Sequence, residues 1–183
     1  MSQQIIKKPI LYQKHARSGA TTGDVLNMVN SPNVTEAIKC ANIFTITAGG
    51  DDLINAAKQF LRNKNEENIS QAIKLAQNNY SKILERIHKI DKQDKYILRL
   101  TNLYNPFPDI PIADEEIKRF NSLINRFGRE LNVKVADIYS VFKGNEKALL
   151  SKGGVHPNNK GYYQMALAIG RLGYSPLNRV KKR

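Results

Sequence analysis

The chain has 183 residues, of which 41% are apolar, so it can form one ordinary domain, and a disordered or fibrous protein is excluded. Its single cysteine, Cys40, excludes an internal disulfide and a zinc site made of thiolates, and no window approaches the ~18 consecutive apolar residues of a membrane helix. The net charge of +13, from 29 Lys and Arg against 16 Asp and Glu, is larger than such a domain ordinarily carries.

The beginning of the chain predicts a weak strand and then a helix. Residues 5–12 form a possible short strand, which Pro9 weakens because proline donates no hydrogen bond to a sheet. Small residues at positions 18–22 then predict a turn. Thr22 or Asp24 can cap the helix that follows.

A second short helix and the first clear strand come next. The break at residues 31–33, SPN, separates this helix from the first one. We expect Cys40, near its end, to be an inert and half-buried helix residue. Residues 43–47, IFTIT, predict a buried parallel strand because they are β-branched and aromatic, and the strand stops at residues 48–52.

The middle of the chain predicts two long helices and a second strand. Apolar side chains at three- and four-residue spacing predict helix from Leu53 to about Ile90, interrupted by a polar surface loop at residues 63–68. Residues 96–104 predict the next strand. It ends at residues 105–108, NPFP, because proline extends neither kind of hydrogen-bonded ladder.

The last third predicts a helix from near Ala113, a final strand at residues 133–139 and a final helix at residues 159–172. Strands that alternate with helices are typical of an α/β protein with a parallel sheet. No repeat, low-complexity tract or linker interrupts the pattern. We therefore predict a single domain over residues 1–183, with its core at about 10–172 and a basic tail at 173–183.

Three loops are rich in small and polar residues, at positions 18–21, 49–52 and around His156. The carboxyl ends of parallel strands are where such sheets place their binding loops. Gly19 and Gly49 would let a backbone N–H group approach a ligand closely. These loops are therefore the candidate site.

The same three loops resemble sequence blocks of the SGNH or GDSL esterases, which include the lipase/acylhydrolases of Gram-positive bacteria. The segments are SGATTGDVL from Ser18, ITAGGDDL from Ile46 and VHPNNKGY from Val155, in the family's order. The connecting segments LYNPF, from Leu103, and ADIY, from Ala136, are also similar. The resemblance covers about residues 10–172.

This resemblance implies a three-layer, flavodoxin-like, doubly wound parallel sheet. It also implies ester hydrolysis by a serine in a Gly-Asp-Ser block, a histidine base and an aspartate three residues before the histidine. An oxyanion hole would be formed by the serine N–H, a glycine N–H and an asparagine side chain. Carried over, the glycine is Gly19 and the base is His156, and no cofactor or metal is implied.

The sequence departs from that pattern at three positions. It contains no Gly-Asp-Ser, and the residues before Gly19 suffice for one strand only, so the resemblance predicts that the family's first strand and helix are missing. Asp51 occupies the position of the oxyanion asparagine, and Gly153 occupies that of the catalytic aspartate. We therefore expect a truncated, catalytically impaired family member, in which neither Ser18 nor Thr21 replaces the nucleophile.

Two of these features also have ordinary structural interpretations. Taken alone, His156-Pro157 is typical of a turn at a helix start, although its surroundings indicate descent from a catalytic histidine. The pair Asp51-Asp52 suggests a metal site, but with no third ligand it is more typical of a solvated helix start.

The basic charge leaves partner and location open. Residues 1–20 contribute +4 (Lys7, Lys8, Lys14 and Arg17 with no acid) and residues 141–183 contribute +8, so twelve of the thirteen charges are terminal. Such ends are typical of solvated termini or of contact with an anionic polymer or membrane surface, and no nucleic-acid module accompanies them. The first twenty residues are too charged for a signal peptide, so we expect a cytoplasmic chain, although members of the family that it resembles are often secreted or lipid-anchored.

Three functions are therefore compatible with the sequence. The first is an esterase with impaired or residual activity on a small-molecule ester. The second is a pseudoenzyme that binds an acyl or glycan ligand, and the third is a basic adaptor for anionic polymers or membrane surfaces. The substrate and the oligomeric state are not indicated by any residue pattern.

Overall fold

The structure is a computed structural model that describes residues 3, 6, 7, 9–65 and 67–177. Its elements form two compact units. The helical unit comprises Leu11–Asn42 and Ala48–Tyr96, and the sheet unit comprises Ile43–Thr47 and residues 97–177 with the described residues before 11. In chain order the elements are α1 (Thr22–Asn30), α2 (Pro32–Cys40), β1 (Ile43–Ile46), α3 (Gly50–Asn63), α4 (Glu67–Lys89), β2 (Ile97–Thr101), α5 (Pro111–Phe127), β3 (Val133–Ala136), α6 (Ile138–Phe142), α7 (Glu146–Leu149) and α8 (Asn159–Arg171).

The sheet unit is built on three parallel strands in the order β1-β2-β3. Ile43 pairs with Ile97 at one end of the sheet, and Thr101 pairs with Ala136 at the other. Every residue of β2 is buried, as expected for the central strand of a parallel sheet. Helices α5 and α8 contact β3.

An apolar cluster in the sheet unit fixes the short helices that follow β3. Its buried members are Ala136, Ile138, Phe142 and Leu149, and side chains of α8 pack against them. The ring of Tyr104 stacks on Phe142 with 4.4 Å between ring centroids. This cluster joins α6, α7 and α8, and so it fixes both ends of the loop between α7 and α8.

The helical unit is organised around α4. This helix buries one apolar stripe at three- and four-residue spacing, which includes Ile73, Tyr80, Ile83 and Ile87, and it contacts α1 and α3. The Tyr80 hydroxyl donates a 3.0 Å hydrogen bond to the Ala48 carbonyl. Burial raises the pKa of Tyr80, so its hydroxyl remains a donor.

The predicted α/β class with a parallel sheet is confirmed. The strand predictions at residues 43–47 and 96–104 are confirmed to within three residues, and so are both long helices and the final helix. The predicted polar loop lies between α3 and α4, except that Glu66 falls outside the described residues. The prediction of one domain over residues 1–183 stays a prediction.

Two strand predictions are wrong, one in the existence of the strand and one in its length. Residues 9–12 form no strand, while Ile5 and Lys8 of that prediction lie outside the described residues. The final strand stops at Ala136, because Asp137 caps α6 by accepting a hydrogen bond from the Ser140 N–H. Residues 178–183 of the predicted basic tail also lie outside the described part of the chain.

Two smaller expectations also need correction. The cap of α1 is Thr21, and Asp24 is its partner in a reciprocal capping box, because each side chain accepts a hydrogen bond from the other residue's N–H. Cys40 is exposed rather than half-buried, because it is the last residue of α2. In the described part of the chain, no helix combines the length and the apolar content needed to cross a membrane.

Candidate functional site

The loop that carries Gly19 leads into α1. Gly19 has φ +73°, a left-handed conformation that glycine adopts readily, and a Cβ there would meet no atom within 4 Å. The backbone conformation, and not lack of space, therefore favours glycine. Thr21 follows as the helix cap, and Arg17 donates a 2.5 Å hydrogen bond to the Asp24 carboxylate. Hydrogen bonds from Thr21 and the Arg17 charge lower the pKa of Asp24, so this loop is held by an ionised carboxylate.

The two carboxylates at the start of α3 have different surroundings. Asp52 is only 8% exposed and accepts hydrogen bonds from the Thr22 N–H at 2.8 Å and the Thr22 hydroxyl at 2.7 Å. Asn79 of α4 donates to the same hydroxyl at 3.0 Å. Asp51 is partly exposed, and its carboxylate makes no hydrogen bond to another described residue.

Asp52 thus joins the Gly19 loop to the start of α3 within the helical unit. The prediction of a helix start is confirmed for both aspartates, since they lie in the first turn of α3. The expectation that the pair is solvated is wrong for Asp52, which is buried and hydrogen-bonded to Thr22. Within the described residues, no group of three or more His, Cys, Asp or Glu side chains has the arrangement of a metal site.

His156 lies in the loop between α7 and α8 of the sheet unit. Leu150 and Pro157 form an antiparallel bridge across the base of this loop, and the Ser151 N–H donates to the His156 carbonyl at 2.9 Å. The Asn158 side chain donates to two carbonyls of the α7 segment and caps α8 by accepting from the Gly161 N–H. The backbone of His156 is therefore well fixed.

The imidazole of His156 is exposed, and it forms no hydrogen bond or ion pair with any residue that the structure describes. Gly153, three residues earlier, is exposed and has φ +67°, with no atom within 4 Å of an added Cβ. The Tyr104 hydroxyl donates a 2.7 Å hydrogen bond to the carbonyl of Val155. This bond fixes the peptide before His156. It does not involve the imidazole ring, whose N–H has no acceptor among the described residues.

The four predicted site residues divide between the units. Gly19 and Asp51 flank the Thr22–Asp52 hydrogen bonds in the helical unit, and Gly153 and His156 share one loop of the sheet unit.

Sequence reasoning missed the residues that support these loops. No local pattern indicates the bond between Asp52 and Thr22, which are 30 positions apart. The glycine at position 161 was a usable signal, because a glycine inside a helix often has a packing reason, and a Cβ there would overlap the Leu149 carbonyl oxygen.

Comparisons with known proteins agree with this architecture. The model of the GDSL-like lipase/acylhydrolase family matches residues 4–164. The chain is 40% identical over 164 residues to the spore germination lipase LipC of Bacillus licheniformis, covering 88% of this chain and 77% of LipC. It is 22% identical over 172 residues to the uncharacterized protein YpmR of Bacillus subtilis strain 168, covering 88% of this chain and 66% of YpmR. Among solved structures, the lipase Lip_vut3 from a goat rumen metagenome superimposes with a TM-score of 0.91 at 37% identity, covering 96% of this chain and 85% of that one.

Proposed function

Because the chain belongs to the GDSL-like lipase/acylhydrolase family, whose chemistry is ester hydrolysis, we propose that these 183 residues keep the family scaffold and the histidine base but have lost most of the esterase activity. The observation that carries this proposal is the unpartnered imidazole of His156. The substrate class in question is a small-molecule carboxylic ester.

An isolated imidazole is a poor catalytic base. In a serine–histidine–aspartate triad the carboxylate fixes the tautomer of the ring and stabilises the imidazolium that forms, and its loss lowers the rate by about ten-thousandfold. His156 has no carboxylate within hydrogen-bond reach among the described residues, and Gly153 stands where the family resemblance puts the aspartate. We infer that His156 accepts a proton with little assistance.

Asp51 opposes the charge that ester hydrolysis develops. An oxyanion hole needs a donor, and removal of one donor raises the barrier by about 3–4 kcal/mol. An ionised carboxylate donates nothing and also repels the oxyanion. The Asp51 carboxylate forms no hydrogen bond or ion pair with another described side chain, so no cationic side chain pairs with its charge.

No hydroxyl in the Gly19 loop is a good substitute for the serine. The Thr21 hydroxyl donates to the Asp24 carboxylate at 2.8 Å and accepts from the Asp24 N–H, so it is committed to the helix cap. Ser18 lies on the exposed turn before it, and no hydrogen bond joins it to a histidine in the described part of the chain. An activated nucleophile requires such a base within reach.

The test is hydrolysis of p-nitrophenyl acetate by the purified chain, combined with labelling by a fluorophosphonate that reacts with activated serines. We expect no labelling, and a rate that His156→Ala lowers no more than His15→Ala does. His15 is the matched control, because it is also exposed and any solvent-exposed imidazole hydrolyses this ester slowly. A rate abolished by His156→Ala alone, or stoichiometric labelling, would contradict the proposal.

A double variant separates the absence of a nucleophile from the changes at Asp51 and Gly153. A Cβ at position 153 would meet no atom within 4 Å, and aspartate tolerates the left-handed backbone better than most residues do. We expect the Asp51→Asn/Gly153→Asp variant to remain unlabelled by the fluorophosphonate, because these 183 residues contain no Gly-Asp-Ser. Labelling of this variant would show that a nucleophile is present and that Asp51 and Gly153 silence it.

A further inference from the structure

A polar groove of about 470 Å³ runs along α5 in the sheet unit. One wall is formed by side chains at helical spacing, which place them on one face of α5 and of the turn after it. These are Lys118, Ser122, Asn125, Arg126 and Arg129. None of the four residues of the candidate esterase site lines this groove.

The buried amides of the groove are already used. The side-chain oxygen of Asn102 accepts hydrogen bonds from the N–H groups of Ile138 and Tyr139. The side-chain amide of Asn121 accepts from the Leu103 N–H and donates to the Leu103 carbonyl, both at 2.8 Å. These side chains therefore hold β2, α5 and α6 together. They have little left to offer a ligand.

The one carboxylate that lines the groove is also engaged. Asp137 accepts hydrogen bonds from Asn102 at 2.9 Å and from the Ser140 N–H and hydroxyl at 3.1 and 2.5 Å. Both of its oxygens thus belong to the cap of α6. The groove consequently lacks a free carboxylate for a cation, and, with Lys118 paired to Asp114, its two arginines still exceed the single negative charge of Asp137.

The wall, in contrast, presents unused donors. In the part of the chain that the structure describes, the side chains of Ser122, Asn125, Arg126 and Arg129 form no hydrogen bond or ion pair. The planar fork of a guanidinium matches two oxygens of a phosphate, and it binds them by charge-assisted hydrogen bonds. A hydroxyl and an amide beside it match the alcohol groups of a sugar.

We propose that this groove binds a phosphorylated sugar or a similar polyhydroxylated phosphate monoester, with Arg126 and Arg129 on the phosphate and Ser122 and Asn125 on the hydroxyl groups. Its volume falls in the range of small-molecule sites and exceeds what a phosphate ion fills. A competing explanation for Arg126 is stabilisation of the negative carboxyl end of α5, where it lies in the last turn. That role predicts a loss of stability without any ligand.

The experiment is calorimetric titration in a phosphate-free buffer with glucose 6-phosphate, inorganic phosphate and glucose as probes. We expect glucose 6-phosphate to bind more tightly than inorganic phosphate, and glucose not to bind. The affinity for glucose 6-phosphate should fall as sodium chloride is raised, since salt screens the guanidinium–phosphate attraction. Equal binding of glucose and glucose 6-phosphate, or no binding of either, would overturn the proposal.

Matched variants assign the contact to the two arginines. Arg126→Gln and Arg129→Gln should each weaken glucose 6-phosphate binding by about tenfold or more, the effect of losing a charge-assisted hydrogen bond. Arg119→Gln is the control, because Arg119 lies on the same helix outside the groove and pairs with Glu116. If Arg119→Gln weakens binding as much as the groove variants, or if Arg126→Gln lowers only the melting temperature, the groove is not the site.

Discussion

Asp51 and Asp52 are neighbours in sequence, yet they have separate physical roles. Asp52 is buried with two hydrogen bonds to Thr22, whereas Asp51 is partly exposed at the start of α3. A buried donor that loses its acceptor is destabilised by the full penalty of desolvation. The backbone N–H of Thr22 is such a donor, because Thr22 is fully buried.

We predict that Asp52→Ala lowers the free energy of unfolding by about 2–3 kcal/mol, because it leaves the Thr22 N–H unsatisfied. Asp51→Ala, the adjacent control, should lower it by no more than about 1 kcal/mol, the value of a carboxylate near a helix N-terminus. Urea denaturation followed by circular dichroism measures both. Equal effects of the two substitutions would contradict this assignment.

Asp114 makes a pH-dependent contribution to the stability of the sheet unit. Its carboxylate accepts hydrogen bonds from Lys118 at 2.6 Å, from the Tyr139 hydroxyl at 2.6 Å and from Asn105 at 3.2 Å. Lys118 first, and then Tyr139, lower the pKa of Asp114 from 3.8 to about 2. A pKa that is depressed on folding means that these contacts stabilise the folded state above the unfolded pKa and are lost as pH falls.

We therefore predict that Asp114→Asn lowers stability by about 1 kcal/mol at pH 7, a modest value because water screens the half-exposed Lys118. The difference from the parent chain should shrink as the pH falls from about 4 toward 2. Urea midpoints measured from pH 7 to pH 2.5 test this, with Asp94→Asn as an exposed control. A difference that stays constant over that range would exclude an ionic origin.

At the scale of elements, the contact between α8 and the end of α7 leaves no room for a side chain. A Cβ on Gly161 would overlap the Leu149 carbonyl oxygen and lie 2.8 Å from Cβ of Pro157. The loop that carries His156 ends at Pro157 and Asn158. The close contact between α8 and α7 therefore also fixes the position of this loop. Glycine at position 161 therefore sets how closely α8 packs.

Gly161→Ala should destabilise the fold by about 2–3 kcal/mol through overpacking, although alanine is the better helix former by about 1 kcal/mol. Gly154→Ala is the matched control in the same loop, since its Cβ would meet no atom closer than 3.6 Å, and we expect a change within about 0.5 kcal/mol. Thermal and urea denaturation provide the comparison. If Gly161→Ala is neutral or stabilising, helix propensity and not packing governs this position.

The elements that could be predicted from sequence are those whose signal lies within them. The stripes of α4 and α5 repeat over several turns, so their spacing identified both helices. Helices α6 and α7 have five and four residues, too few for a period, and α6 replaces a predicted extension of β3 because Asp137 caps it. Residues 9–12 looked like a strand by composition alone, but a strand also needs a partner, which no local pattern supplies.

The candidate site was predictable in part for the same reason. Three loop segments located Gly19, Asp51, Gly153 and His156, and each segment has its own recognisable residues. The groove along α5 was not predicted, because it combines residues that follow β2 and β3 with one face of a helix. The catalytic roles of the four site residues stay predictions.

For the whole molecule, the charge of +13 and its distribution are the features that bear on partners. Twelve of the thirteen net charges lie in residues 1–20 and 141–183. Binding to a polyanion depends on the number of cations that contact it together, and so clustered cations count for more than scattered ones. If the ends form the contact, removing them must weaken binding more than an equal loss of charge elsewhere.

We predict that deletion of residues 1–10 and 179–183, which removes Lys7, Lys8 and four cations of the tail, markedly lowers the sodium chloride concentration that elutes the chain from heparin. The control loses the same six charges from exposed positions of the helical unit, by glutamine at Lys58, Arg62, Lys64, Lys74, Lys82 and Lys95. The deletion should shift elution clearly more than the control, because each released counterion requires a cation at the contact. Equal shifts would show that net charge alone drives retention, and circular dichroism of both variants verifies that each is folded.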